Sequence, residues 1–337
     1  MSTTPKPDGL VRLEAEMARQ FQDASRSFEA NQANAQAAAR HIQETKRLHL
    51  VGMGASHWLN RTVEPLYRTH GIDATAVLAS ELLRAPLPGP ATELLVSQSG
   101  ASGEIVRYLD RRESDTEAFG LTLNASSPLG QRTTSLIGEG GPEQAFAATR
   151  SLAITLALHA AILKHLGSDP ADFLSVLTAP PETESKGVPE QLAAARILIL
   201  SSRGHLQGVV ETAGLTFMEL ARRPALAIEG GQLRHGPLEV LSTETAIVLA
   251  RPAGADADTV ATVAQIALKA GLTPIVIDCS GAPPIEGART VALPRLRGLA
   301  AAAIVLATLQ RIFIDTATLL VPDIGTPLRS TKVTDGE

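Results

Sequence analysis

Three stretches from the first half of the chain return, in the same order, in the second half. RLHLVGMGAS (47–56) is echoed by RILILSSRGH (196–205), ELLVSQSGASGEIV (93–106) by TAIVLARPAGADADTV (245–260), and FGLTLNAS (119–126) by TPIVIDCS (273–280). Each carries a short apolar run that breaks at small or turn-forming residues, with helix-like stretches between the runs. A strand that is apolar on both faces has to be covered on both, so this alternation specifies a parallel sheet between layers of helix. The near-constant spacing of the matched strands argues for one α/β unit present twice, not two unrelated domains. The expected fold class is α/β, with two tandem domains, each a parallel sheet flanked by helices as an α-β-α sandwich.

A chain of 337 residues is long enough for two cores. Residues 10–46 contain no Gly or Pro and are rich in Ala, Gln, Glu and Arg, which predicts helix in two pieces. The expected divisions are an N-terminal helical segment (1–34), a first sheet domain (35–166), a linker (167–190), a second sheet domain (191–325) and a C-terminal tail (326–337). The linker is placed where Gly, Ser, Pro and acidic residues interrupt any periodicity. GLAAAAIVLATLQRIFIDTATLL (298–320) is apolar nearly all round and is expected in a domain or subunit interface.

A net charge of -5, no Lys/Arg-rich stretch and 3% aromatic residues leave no footprint for nucleic acid, so no nucleic-acid partner is expected. The single cysteine, Cys279, excludes an internal disulfide framework. The first residues lack a secretory pattern and no apolar run reads as long enough to span a bilayer, which predicts a cytoplasmic protein without a membrane partner.

SQSGASGE (97–104) follows a strand and precedes a helix, where unpaired backbone N–H groups and the macrodipole favour an anion. Hydroxyls at Ser97, Ser99 and Ser102 are neutral donors suited to a phosphate, and Gly100 and Gly103 allow close backbone approach. Neither the Walker pattern nor G-x-G-x-x-G is completed. A bare turn with a helix cap is the competing explanation; a second loop of the same kind, VGMGAS, at another strand's carboxyl end weighs against it. Glu219 and His235 supply a carboxylate and an imidazole for proton transfer, with Glu229 and Glu239 in the same region as open alternatives. Lys332 is ordinarily a surface charge, but beside a carbonyl it can form a Schiff base. His159 and His165 are six apart, off the spacing of a metal pair, so no metal is expected.

In combination, VGMGAS, ASE (79–81), SQSGASGE, QLRHGPL and the S-x-K-V-T-like end resemble the sugar-isomerase (SIS) domain family. The likeness is to the isomerase half of glucosamine-6-phosphate synthase and the stand-alone amino-sugar-phosphate deaminases, from about Met17 onward. The resemblance implies a hexose 6-phosphate or amino-hexose 6-phosphate bound through Gly54, Ala55, Ser56, Ser97, Gln98, Ser99, Ser102 and Phe146. It assigns C1–C2 proton transfer to Glu219, ring opening to His235 reaching in from the partner subunit of a homodimer, and a Schiff base to Lys332. No cofactor is implied. Ala55, Thr216, Phe146 and Ala148 depart from the synthase pattern, while Arg150 keeps the charge of its loop lysine. With no catalytic cysteine near its start, the chain is expected to lack glutaminase activity. The resemblance implies an amino-sugar-phosphate deaminase/isomerase, with an isomerase or deglycase of another substituted hexose phosphate, or a sugar-phosphate sensor, as alternatives.

Overall fold

The computed structural model describes residues 5–112 and 117–332, and these form two compact units. One is built from residues 14–178 and 327–332, the other from 5–13 and 179–326. In order, the first stretch of chain forms α1 (Asp8–Ala30), α2 (Gln32–Thr45), β1 (Arg47–Gly52), α3 (Gly54–Arg68), β2 (Asp73–Leu78), α4 (Ala79–Leu82) and β3 (Thr92–Val96). There follow α5 (Gly103–Arg111), β4 (Ala118–Thr122), α6 (Pro128–Arg132), β5 (Thr134–Ile137), α7 (Arg150–His165) and α8 (Ala171–Thr178). The remainder forms α9 (Val188–Ala194), β6 (Ile197–Ser201), α10 (His205–Ala221), β7 (Ala225–Ala227), α11 (Gly230–Leu233), β8 (Thr245–Arg251), α12 (Asp256–Lys269), β9 (Ile275–Asp278), β10 (Arg289–Ala292) and α13 (Gly298–Leu320).

Each unit contains a five-stranded parallel sheet, ordered β2-β1-β3-β4-β5 in one and β7-β6-β8-β9-β10 in the other. The central strands are buried on both faces: every residue of β3, β4 and β8 is inside. This is why their sequences run apolar instead of alternating. Val51, Leu95, Ile105 and Leu129 tie β1 and β3 to α5 and α6 in one core, and Ile199, Ile247, Val260 and Val276 tie β6, β8 and β9 to α12 in the other. The strand order is the same in both. In each, the chain winds outward in opposite directions from the first and third strands, which leaves a crevice between their carboxyl ends. Gly52 lies opposite Val96 there, and Ser201 opposite Leu249.

The stretch expected to be a linker also holds a helix, and one expectation needs correction. Residues 167–190 hold the helix α8, where the Asp169 side chain accepts the Ala171 N–H at 2.9 Å and Phe173, Val176 and Leu177 are buried. Prolines 170, 180 and 181 bound this helix, and they masked its period. By length and composition α13 does reach what a membrane span requires, contrary to the expectation that no run does; 72% of its apolar window is nevertheless buried inside the protein. Its apolar surface packs within its own unit, where Phe313 meets Phe217 of α10 edge-to-face at 5.0 Å.

Candidate active site

In the first sheet the crevice between β1 and β3 is lined by both loops singled out in the sequence. After β1 the chain turns at Gly54, where φ is +51° and nothing lies within 4 Å of an added Cβ, so the backbone opens onto free space. Ala55 and Ser56 form the first turn of α3; Ser56 is buried, and its N–H is held by the Met53 carbonyl at 3.1 Å. Beside it His57 is buried, and burial first, then the Arg61 charge, pull its pKa down to about 4, so it is neutral at pH 7.

After β3 the serines draw together. The Ser97 and Ser102 hydroxyl oxygens are 2.9 Å apart, Ser97 Oγ accepts the Gly100 N–H at 3.1 Å, and Ser99 Oγ accepts the Ala101 N–H at 3.2 Å. Ser102 stands at the start of α5 and makes no side-chain cap. The Gln98 carbonyl is tied to Leu123 N at 3.0 Å, while its buried Nε2 has no hydrogen-bond partner among the described residues. A buried amide donor without an acceptor is costly, and an anion in the loop would satisfy it.

Gly100 makes this loop possible: its φ is +67°, and a Cβ there would lie 1.9 Å from Ser127 Oγ and 2.7 Å from Thr122 Oγ1. Gly100→Ala adds about 1–3 kcal/mol of backbone strain to that clash. We expect it to weaken binding of a phosphate group in this loop by more than about tenfold, equivalent to ~1.4 kcal/mol. Gly71→Ala, where φ is +71° but no atom is near, is the control. Calorimetry showing equal binding by the two variants would refute the close-approach argument.

Thr122 and Ser127, at the carboxyl end of β4, form the floor under this loop and were not singled out in the sequence. Ser127 caps α6 by accepting the Gly130 N–H at 3.1 Å, with Pro128 next in sequence, and that Ser-Pro helix start is the signal that marks it.

The loop after β5 brings together Phe146 and Lys332. Lys332 Nζ donates to the Phe146 carbonyl at 3.3 Å and to Glu143 Oε2 at 3.3 Å. Arg150 does not present its charge to this site. It is fully buried, its Nε donating to Glu16, its Nη1 to Asp23 at 3.1 Å and to the Glu139 carbonyl at 3.1 Å, and its Nη2 to the Gly141 carbonyl at 2.7 Å.

Glu219 and His235 belong to the other unit. Glu219 is half-buried in the last turn of α10, and His235 is exposed in the turn after α11, its N–H held by the Gln232 carbonyl at 3.0 Å. Glu229 is committed elsewhere: its carboxylate pairs with Arg203 at 2.7 Å and accepts the N–H groups of Gly231 and Gln232. Thr216 is buried and donates to the Thr212 carbonyl at 3.3 Å. His159 is a core histidine, 3.0 Å from the Tyr67 hydroxyl, with its pKa lowered by burial to about 3.

Comparison with known proteins agrees with this fold. No protein-family model matches the chain. The C-terminal domain of glucosamine-fructose-6-phosphate aminotransferase from Francisella tularensis superposes with a TM-score of 0.81 at 18% identity, covering 94% of this chain and 98% of that one. Tagatose-6-phosphate ketose/aldose isomerase from Escherichia coli gives 0.80 at 18% identity, over 97% and 100%. The chain has the fold of the SIS domain family. Another SIS-fold neighbour, glucosamine-6-phosphate deaminase from Thermotoga maritima, gives 0.75 at 19% identity, over 96% and 99%. In sequence, the chain is 23% identical over 309 residues to glutamine–fructose-6-phosphate aminotransferase of Rhizobium meliloti, covering 84% of this chain. It spans about half the length of the curated relatives it matches (50% of this one).

Proposed function

We propose that the chain is a phosphosugar isomerase of the deaminating kind, which converts glucosamine 6-phosphate or a close relative to fructose 6-phosphate and ammonia. The observation that carries this reading is the position of two features on one sheet: the serine loop at the end of β3 and Lys332 docked on the loop after β5. Two strand spacings separate β3 from β5, roughly 10 Å, a span an open-chain hexose phosphate can bridge. In this reading Ser56, Ser97, Gln98, Ser99 and Ser102 hold the phosphate. Glu219 removes the C2 proton and returns it to C1, which converts the amine-bearing carbon to an imine. Hydrolysis of that imine, directly or after exchange onto Lys332, releases ammonia and the ketose. His235 assists ring opening from the partner subunit of a homodimer.

Glucosamine 6-phosphate incubated with the protein should yield ammonia and fructose 6-phosphate in equal amounts. Binding by calorimetry with neither product formed would refute the deaminase and favour a sensor. One observation favours a second reading, an isomerase or deglycase of another substituted hexose phosphate. With Arg150 buried and Ala148 in place of a hydroxyl, the loop after β5 offers the sugar fewer polar groups.

A further inference from the structure

The residue to which Lys332 is tied is Glu143, which takes no part in the proposed reaction. Its carboxylate is buried at 8% exposure beside the start of α7. Oε1 accepts from the Thr149 N–H at 2.9 Å and the Thr149 hydroxyl at 2.9 Å; Oε2 accepts from the Ser151 hydroxyl at 2.5 Å and from Lys332 Nζ at 3.3 Å. Neutral donors and a helix start both favour negative charge at this point. The side chain is thus fixed from the α7 side, and only the lysine of the pair, 36% exposed against 2% for the carboxylate, is free to reorient.

We propose that Glu143 is a positioning residue that docks the C-terminal tail through the Lys332 ammonium and remains as the counter-ion of the iminium formed there. This inference rests on the Schiff-base role given to Lys332 above. In the net step, the ammonium nitrogen forms a bond to C2 of the open-chain ketose and the C=O bond breaks. The oxygen leaves as water with two of the three ammonium protons, and the third stays on nitrogen. One positive charge faces Glu143 before the step and one after it, so a preorganised carboxylate serves both states without rearranging.

The test uses the whole protein, fructose 6-phosphate as probe, borohydride reduction and intact mass. At saturating sugar, Glu143→Gln is expected to lower the reduced adduct by about tenfold or more while sugar affinity, set by the serine loop, stays within about twofold. Glu143→Asp should restore part of the adduct, because it restores the charge. Without sugar, trypsin should cut at Arg329 and Lys332 several-fold faster in Glu143→Gln. Wild-type trapping undiminished in Glu143→Gln at equal occupancy would overturn the counter-ion role, and unchanged proteolysis would overturn the docking. If the wild type itself traps no ketose, the Schiff-base reading fails and the iminium role fails with it, an outcome the proteolysis arm keeps separate from docking.

Discussion

Arg150→Ala is expected to cost about 3–5 kcal/mol of stability, because it leaves the Glu16 and Asp23 carboxylates buried without their guanidinium. Arg150 is fully buried, Asp23 fully buried and Glu16 at 3% exposure, so water cannot compensate. Gly140 packs directly on this pair: a Cβ there would lie 2.2 Å from Asp23 Oδ2. The cluster joins α1 to the loop that leads from β5 to α7, the loop that holds Glu143 and Phe146. Urea unfolding measures the loss; a change below about 1 kcal/mol would contradict the burial argument. Replacing all three residues by neutral groups of similar size should recover much of it, since breaking a buried pair costs more than removing it whole.

The same cluster sets an acid dependence. Burial pushes the Glu16 carboxyl up, but the Gln144 N–H, Arg150 and Arg19 outweigh it and leave the pKa below its usual 4.5. A depressed carboxylate contributes stability that is complete above about 4.5 and is lost as pH falls through the lower folded value. Without Arg150 that depression shrinks, so the variant's stability should fall less steeply with acid below 4.5 than the wild type's.

Glu219→Gln should lower exchange of the C2 proton with solvent deuterium by about 10²–10⁴-fold, the usual contribution of a positioned general base. Phosphosugar binding should persist, since the serine loop lies on a different sheet from the helix that carries Glu219. Exchange followed by NMR at saturating sugar separates the two effects, and an undiminished rate would remove Glu219 from the reaction. Glu239, exposed in the turn at Pro237–Val240, is then the next base to replace.

The parallel sheets were readable because β1, β3, β6 and β8 are buried on both faces and therefore carry apolar runs that do not alternate, with polar residues mostly at their ends and His49 inside β1 as an exception. The turn at the serine loop was readable for a related reason, since small hydroxyl residues and glycine break the apolar run where β3 ends and α5 begins. Arg150 was harder. Its identity suggested a charge for the substrate, and only Glu16 and Asp23, distant in sequence and unremarkable in composition, reveal that the charge is consumed internally. Glu143 was missed because its five donors include a lysine from the far end of the chain, and no local pattern encodes such a contact. The helix α8 was hidden by prolines that mark its limits.

The shared strand order of the two sheets separates scaffold from chemistry. At the crevice of the first sheet stand hydroxyls and an unfilled amide; at the matching place in the second, Arg203 lies between Glu229 at 2.7 Å and Asp256 at 3.8 Å. That wedge of opposite charges already satisfies itself. The two halves therefore share one backbone frame but not one side-chain chemistry: hydroxyls line the crevice of the first, and an Arg203–Glu229–Asp256 charge cluster stands at that of the second.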